Sequence, residues 1–203
     1  MDISLETRTS SGETDWKWLL QDQLEGLRRI ELCHPVVIVD YDPRWPVLFE
    51  EEKKLILGIA RQKILAVEHI GSTAVPGLAA KPIIDMMAGV RGTSEADECL
   101  PVLAGIGYDH VTPEPDNQEW FYCLGKGFHS VGYHLHLVKF ESNHWNRHLL
   151  FRDLLRKRPD VAKQYQELKK RMAEKLGPER EVYTESKTSF IESVIAQASE
   201  GHT

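Results

Sequence analysis

Apolar residues recur along this chain with a period near 3.6 in some stretches and near 2, or without a break, in others, which predicts helices interleaved with strands. Trp16, Leu19, Leu20, Leu24, Leu27 and Ile30 form one broad stripe. A helix is therefore expected from an N-cap at Thr14 to about Leu32, behind a disordered lead at residues 1–13. Pro35 closes it, Val36 to Val39 reads as a short strand, and Asp40-Tyr41-Asp42-Pro43 is turn chemistry. Pro46 sits where a helix can start, and Phe49, Leu55, Leu57 and Ile59 carry that helix to about Ala60. Two strands follow, Ile64 to Ile70 and Pro82 to Val90.

Ser94 is placed to cap a helix running to about Leu103, after which Gly105-Ile106-Gly107-Tyr108 ends it and opens a short strand. Residues 112–118 read as a loop. Glu119 to Leu124 and Tyr133 to Phe140 form a predicted hairpin across a connection containing Gly125, Gly127 and Gly132. From Asn143 the pattern is helical, over about 144–157, 159–175 and 184–199. The expected fold is α/β in the α+β sense, a mixed sheet flanked by helices with a helical C-terminal third. Residues 1–34 read as an N-terminal extension and 35–203 as the main domain.

Composition adds limits. A chain of 203 residues, 41% hydrophobic and 28% charged, suits one globular domain. No apolar run approaches the roughly 20 residues of a membrane span, and the polar N-terminus lacks a signal-peptide core. Cys33, Cys99 and Cys123 share no metal or redox spacing, so free thiols in a cytoplasmic setting are expected. The net charge of −6 conceals an asymmetry: residues 139–175 hold 11 Lys and Arg against 5 Asp and Glu. That block is either a solvated helix face or an electropositive wall facing a phosphorylated ligand. Without interleaved aromatic residues, nucleic acid is not the favoured partner.

The chemistry concentrates in Glu68 to Met87, EHIGSTAVPGLAAKPIIDMM. Gly71-Ser72-Thr73 is a small-residue turn after one apolar run, and Asp85 lies within the next. Free N–H groups at such a turn hold phosphate oxygens, and a Ser hydroxyl adds a donor. Lys81 could neutralise a phosphate, and His69, beside the turn, could hydrogen-bond a ligand. A carboxylate in an apolar strand needs a metal, a cation or several donors, because burying it bare costs several kcal/mol. Strand alternation puts Asp85 and Met87 on one face, and His134 and His136 on one face of the later strand. Were those strands neighbours, one carboxylate and two imidazoles would converge, as in two-His-one-carboxylate metal sites; polar residues on a half-exposed strand are the plainer alternative. Arg147, Arg152 and Arg156 share a helix and suit bidentate contacts to phosphate or ordinary ion pairs. Tyr183 and Lys187 lie one helical turn apart on the last helix.

The motif, with VDYDPRWPVLFEEE before it and HLHLV, RHLLFRDLLR and YTESKTSFI after it, closely resembles the GrpB family, in collinear order from about Val36 to Ala198. The resemblance implies a fold of the polymerase-beta-like nucleotidyltransferase superfamily, with nucleotide phosphates on a Gly-Ser turn and two magnesium ions on an Asp-x-Asp pair plus a third acid. Gly71 and Ser72 match that turn and Asp85 the first acid. Met87 stands at the second, and the third falls near His134 or His136, where the chain offers no acid. GrpB-like domains also occur fused to a dephospho-CoA kinase.

Three readings follow. The first is a metal-dependent nucleotidyltransferase-like protein that binds a nucleotide or phosphorylated metabolite through His69, Gly71, Ser72, Thr73, Lys81, Arg147, Arg152 and Lys187. Its reaction would turn on Ser72 and Asp85, with magnesium or manganese on Asp85. The second is a transition-metal enzyme using Asp85, His134 and His136. The third is a non-catalytic ligand-binding or interaction domain on the same fold.

Overall fold

The computed structural model describes residues 37–110, 119–127, 131–176 and 180–200, with backbone alone at 173–176, 180–186 and 199–200. The expected extension and its Thr14 helix, Cys33, the 112–118 loop and the Tyr183 side chain lie outside the described residues. Strands β1 (Ala66–Ile70), β2 (Ile83–Val90), β3 (Asp109–His110), β4 (Trp120–Lys126) and β5 (Gly132–Lys139) form one sheet in the order β1-β2-β5-β4-β3. β2 and β5 run parallel, and every other neighbouring pair is antiparallel. Helix α1 (Trp45–Ala60) precedes β1, a 3-10 turn (Ser72–Ala74) follows it, and α2 (Thr93–Ala104) follows β2. Helices α3 (Asn143–Lys157), α4 (Pro159–Leu176) and α5 (Arg180–Glu200) complete the mixed α/β architecture.

Side-chain alternation divides the sheet into two unlike faces. Ile84, Met86 and Ala88 of β2 and Leu135 and Leu137 of β5 pack in one cluster with Trp45, Phe49 and Ile56 of α1 and Cys99 and Leu103 of α2. Burying each large apolar side chain of this kind contributes about 1.5–3 kcal/mol, and that fixes the register. A one-residue slip of β2 would drive Asp85 into this core and turn Ile84 and Met86 out. On the opposite face Ile70, Met87 and Val138 meet Trp145 of α3. Val75 and Leu78, in the loop after the 3-10 turn, pack on Leu155 of α3 and Tyr165 of α4.

Two local expectations change. The strand predicted at Val36–Val39 reduces, among the described residues, to a single bridge between Val39 and Ala80. Pro82 lies two residues beyond Ala80 and has no N–H for the next pair of ladder bonds. Ser94 does not cap α2: the helix starts at Thr93 after Gly92, and the Ser94 hydroxyl donates to Glu98. α3 does have a side-chain cap, Ser142 Oγ accepting from Trp145 N at 3.2 Å, and Arg156 and Lys157 complement the dipole in its last turn.

Candidate functional site

The Gly-Ser turn and Asp85 meet at the end of β1. Ile70 pairs with Asp85 across the antiparallel ladder, so the chain leaving β1 crosses directly beside that carboxylate. Gly71 has φ +69° and ψ −168°, a region open essentially to glycine alone. A Cβ at Gly71 would lie 2.5 Å from Asp85 Oδ2 and 2.9 Å from Asp85 Cβ. Glycine is therefore required twice, by its backbone angles and by the acid pressed against it.

Thr73 and His69 lock the turn from behind. Thr73 Oγ1 donates to Ile83 O at 3.0 Å and lies 3.1 Å from His69 Nε2. Because the hydroxyl proton is committed to Ile83, the hydrogen-bond network assigns the His69 proton to Nε2. The imidazole stacks on Phe49 with ring centroids 4.7 Å apart. Burial lowers its pKa to about 4, so His69 is neutral near pH 7. The structure thus places His69 as a brace for the turn, on the α1 side of the sheet.

The parallel pairing of β2 with β5 sets Asp85 beside His134 and Met87 beside His136. His134 Nδ1 lies 3.3 Å from Asp85 Oδ1 and donates to it. Burial pushes the Asp85 carboxyl up, but the His134 hydrogen bond, with the charges of His134 and Lys187 beside it, outweighs burial and holds the acid below the usual range. Asp85 is ionised at neutral pH.

In front of these groups is a cleft of about 140 Å³, walled by Ser72, Thr73, Lys81, Asp85 and His134 together with Lys169 of α4 and Lys187 of α5. Lys169, only 2% exposed, donates from Nζ to Ala79 O at 2.6 Å. Burial, and then the charge of Lys187, lower its pKa to about 7, against the opposing pull of Asp85. Burial also lowers the pKa of Lys187, with Asp85 opposing. Nothing in the motif reading pointed to Lys169. The available signal was its place on α4, four residues after Tyr165 and seven after Ala162, where the buried stripe calls for an apolar side chain.

The helix arginines serve the scaffold. Arg152 donates to Glu68 Oε2 at 2.7 Å and His69 O at 3.1 Å, and pairs with Asp153. Arg156 holds Ala74 O through Nε at 3.0 Å and Nη2 at 2.8 Å. Arg147 pairs with Glu192 of α5. Gln166 accepts from Ala79 N at 2.8 Å. Together Arg156, Gln166 and Lys169 staple the 74–79 loop to the helical layer. Neither Arg147 nor Arg152 is among the residues walling the cleft.

The two-magnesium arrangement does not fit these residues. Met87, at the second acid's place, is fully buried among Ile70, Val138 and Trp145. His136 lies against Trp120, ring centroids 5.3 Å apart, and burial lowers its pKa to about 3. Among the described residues Asp85 is the one carboxylate walling the cleft, and magnesium prefers several oxygen ligands. Among the described residues no three His, Cys, Asp or Glu side chains stand together in a way that could hold a metal ion.

Comparison with known proteins agrees with the architecture. Residues 35–197 match the GrpB protein family. A UPF0157 protein of Halalkalibacterium halodurans is 35% identical over 164 residues, 80% of this chain and 82% of that protein. The glutamate-rich protein GrpB of Alkalihalophilus pseudofirmus is 33% identical over 163 residues, 79% of this chain and 94% of that one. The crystal structure of the conserved protein GrpB from Enterococcus faecalis superposes with a TM-score of 0.64 at 32% identity, covering 77% of this chain and 98% of that one. The chain belongs to the GrpB family.

Proposed function

We propose that this GrpB-family chain binds the phosphate group of a nucleotide or phosphorylated small molecule in the cleft between the Ser72 turn and helices α4 and α5. One observation carries the reading: Lys81, Lys169 and Lys187 converge with Ser72 on a single small cavity. Like-charged ammonium groups repel, and a desolvated lysine is expensive, so such a convergence is expected where an anion is to be held. Asp85 supplies partial neutralisation and fixes His134 through Nδ1–H.

A cavity of about 140 Å³ is smaller than the roughly 300–1,000 Å³ of sites that enclose whole small molecules. The cleft therefore takes an anionic head group and leaves the rest of the ligand outside. This favours a phosphate-binding domain over a transition-metal enzyme built on Asp85, His134 and His136. A thermal-shift panel of nucleoside mono-, di- and triphosphates, coenzyme A and sugar phosphates tests it. A phosphorylated compound should raise the melting temperature while its dephosphorylated counterpart does not, and Lys187→Gln should remove the shift. Equal shifts from both forms would reject the assignment.

A further inference from the structure

We propose that the cleft holds the pyrophosphate group of its ligand without a divalent metal ion, the ammonium groups of Lys81, Lys169 and Lys187 standing where metal ions would. This rests on the phosphate-binding reading above and goes beyond it by specifying how the anion's charge is balanced. The first ground is the donor set. Magnesium and manganese sites on phosphates use carboxylate oxygens to bridge protein and ion, and among the described residues walling the cleft Asp85 alone offers them. Asp85 already accepts from His134 Nδ1 and is pressed against the Gly71 backbone. Met87, where a second acid would stand, belongs to an apolar cluster sealed by Trp145.

The second ground is charge. Among the described residues, three lysine side chains and one carboxylate wall a single small cavity, so an entering dication meets net like charge, whereas a polyanion meets its complement. The third is how the central cation is held. Lys169 is 98% buried, yet its Nζ is tied to Ala79 O, and the Ala79 N–H is bonded in turn to Gln166. A cation fixed in advance in this way replaces a mobile ion at little further ordering cost on binding.

The test is calorimetric titration of the full chain with inorganic pyrophosphate, once in EDTA and once with added magnesium or manganese. Binding in EDTA, unchanged or weakened by the metal because the metal sequesters the pyrophosphate, is the expected result. Lys187→Gln and Lys81→Gln should each weaken it roughly tenfold, the worth of one charge-assisted contact, whereas Lys63→Gln should not, since Lys63 pairs with Glu98 of α2 and is not among the cleft residues. Two positions are used so that a variant that fails to fold does not leave the question open. Binding that appears only with metal overturns the metal-free inference and leaves the phosphate reading intact. No binding under either condition, or binding indifferent to both cleft lysines, overturns both.

Discussion

Gly71→Ala tests the geometry of the site most directly, because two separate penalties meet at one atom. At φ +69° and ψ −168° an L-residue occupies a region that costs about 1–3 kcal/mol. The new Cβ would also stand 2.5 Å from Asp85 Oδ2, well inside contact distance, and neither partner can move freely. Asp85 sits within a paired strand, and the turn is held by Thr73, His69 and Arg156. Overpacking of this kind costs about 1–3 kcal/mol, so the total should be about 2–6 kcal/mol. Gly77 supplies the control: its φ is +77°, but an added Cβ would meet nothing within 4 Å, leaving only backbone strain of about 1 kcal/mol. In urea unfolding followed by tryptophan fluorescence, Gly71→Ala should lower the midpoint by roughly 2 M without changing the slope, and Gly77→Ala by much less. In an Asp85→Gly background the cost of Gly71→Ala should shrink by the steric part. Equal losses for the two glycines, or the same Gly71 cost with and without Asp85, would refute the close packing of turn and acid.

Acid should destabilise the fold through its buried neutral imidazoles. His69 titrates at about 4 when folded and near 6.5 when unfolded, so below pH 6.5 the unfolded chain binds the extra proton. Stability is therefore lost as pH falls from 6.5 towards 4, by about 3 kcal/mol from this residue, and urea midpoints for His69→Phe should show a shallower acid slope than the parent. Lys126→Met should cost about 3 kcal/mol, because it strips the cation, 2.7 Å away, from the buried carboxylate of Glu52, to which Tyr108 also donates. Adding Glu52→Gln should recover most of that loss, and a double variant no more stable than the single one would count against the ion pair. Pyrophosphate affinity should fall as pH rises through about 7, where Lys169 loses its proton while facing Lys187, Lys170 and an ionised Asp85. A parent-to-Lys169→Met affinity ratio that stays flat between pH 6.5 and 8.5, with the ligand's own titration cancelling in the ratio, would show that Lys169 does not carry the charge.

Among the described residues, the periods of apolar residues determined the helices from Trp45 onward, the two strands around the Gly-Ser turn and the later strand of His134 and His136, because those periods are the geometry of helix and strand themselves. The motif Gly71-Ser72 and the lone Asp85 were also legible, since a charged residue inside an apolar strand and a glycine at a tight turn are local departures from pattern. Helix and strand ends were less so, as Ser94 and Val36 to Val39 show, because capping and pairing depend on what lies across from them. Only the tertiary structure decided that β2 and β5 run side by side, so that His134 rather than Met87 becomes the partner of Asp85. It also separated the arginines that staple the scaffold from the lysines that line the cleft, and brought Lys169 and Lys187 from two late helices onto a turn about a hundred residues earlier. Spacing along a chain reports which face a residue occupies, but not which other face it meets. That second choice is made by long-range packing, where the burial of Ile84, Met86, Leu135 and Leu137 fixes the sheet and every polar group on its other side must follow.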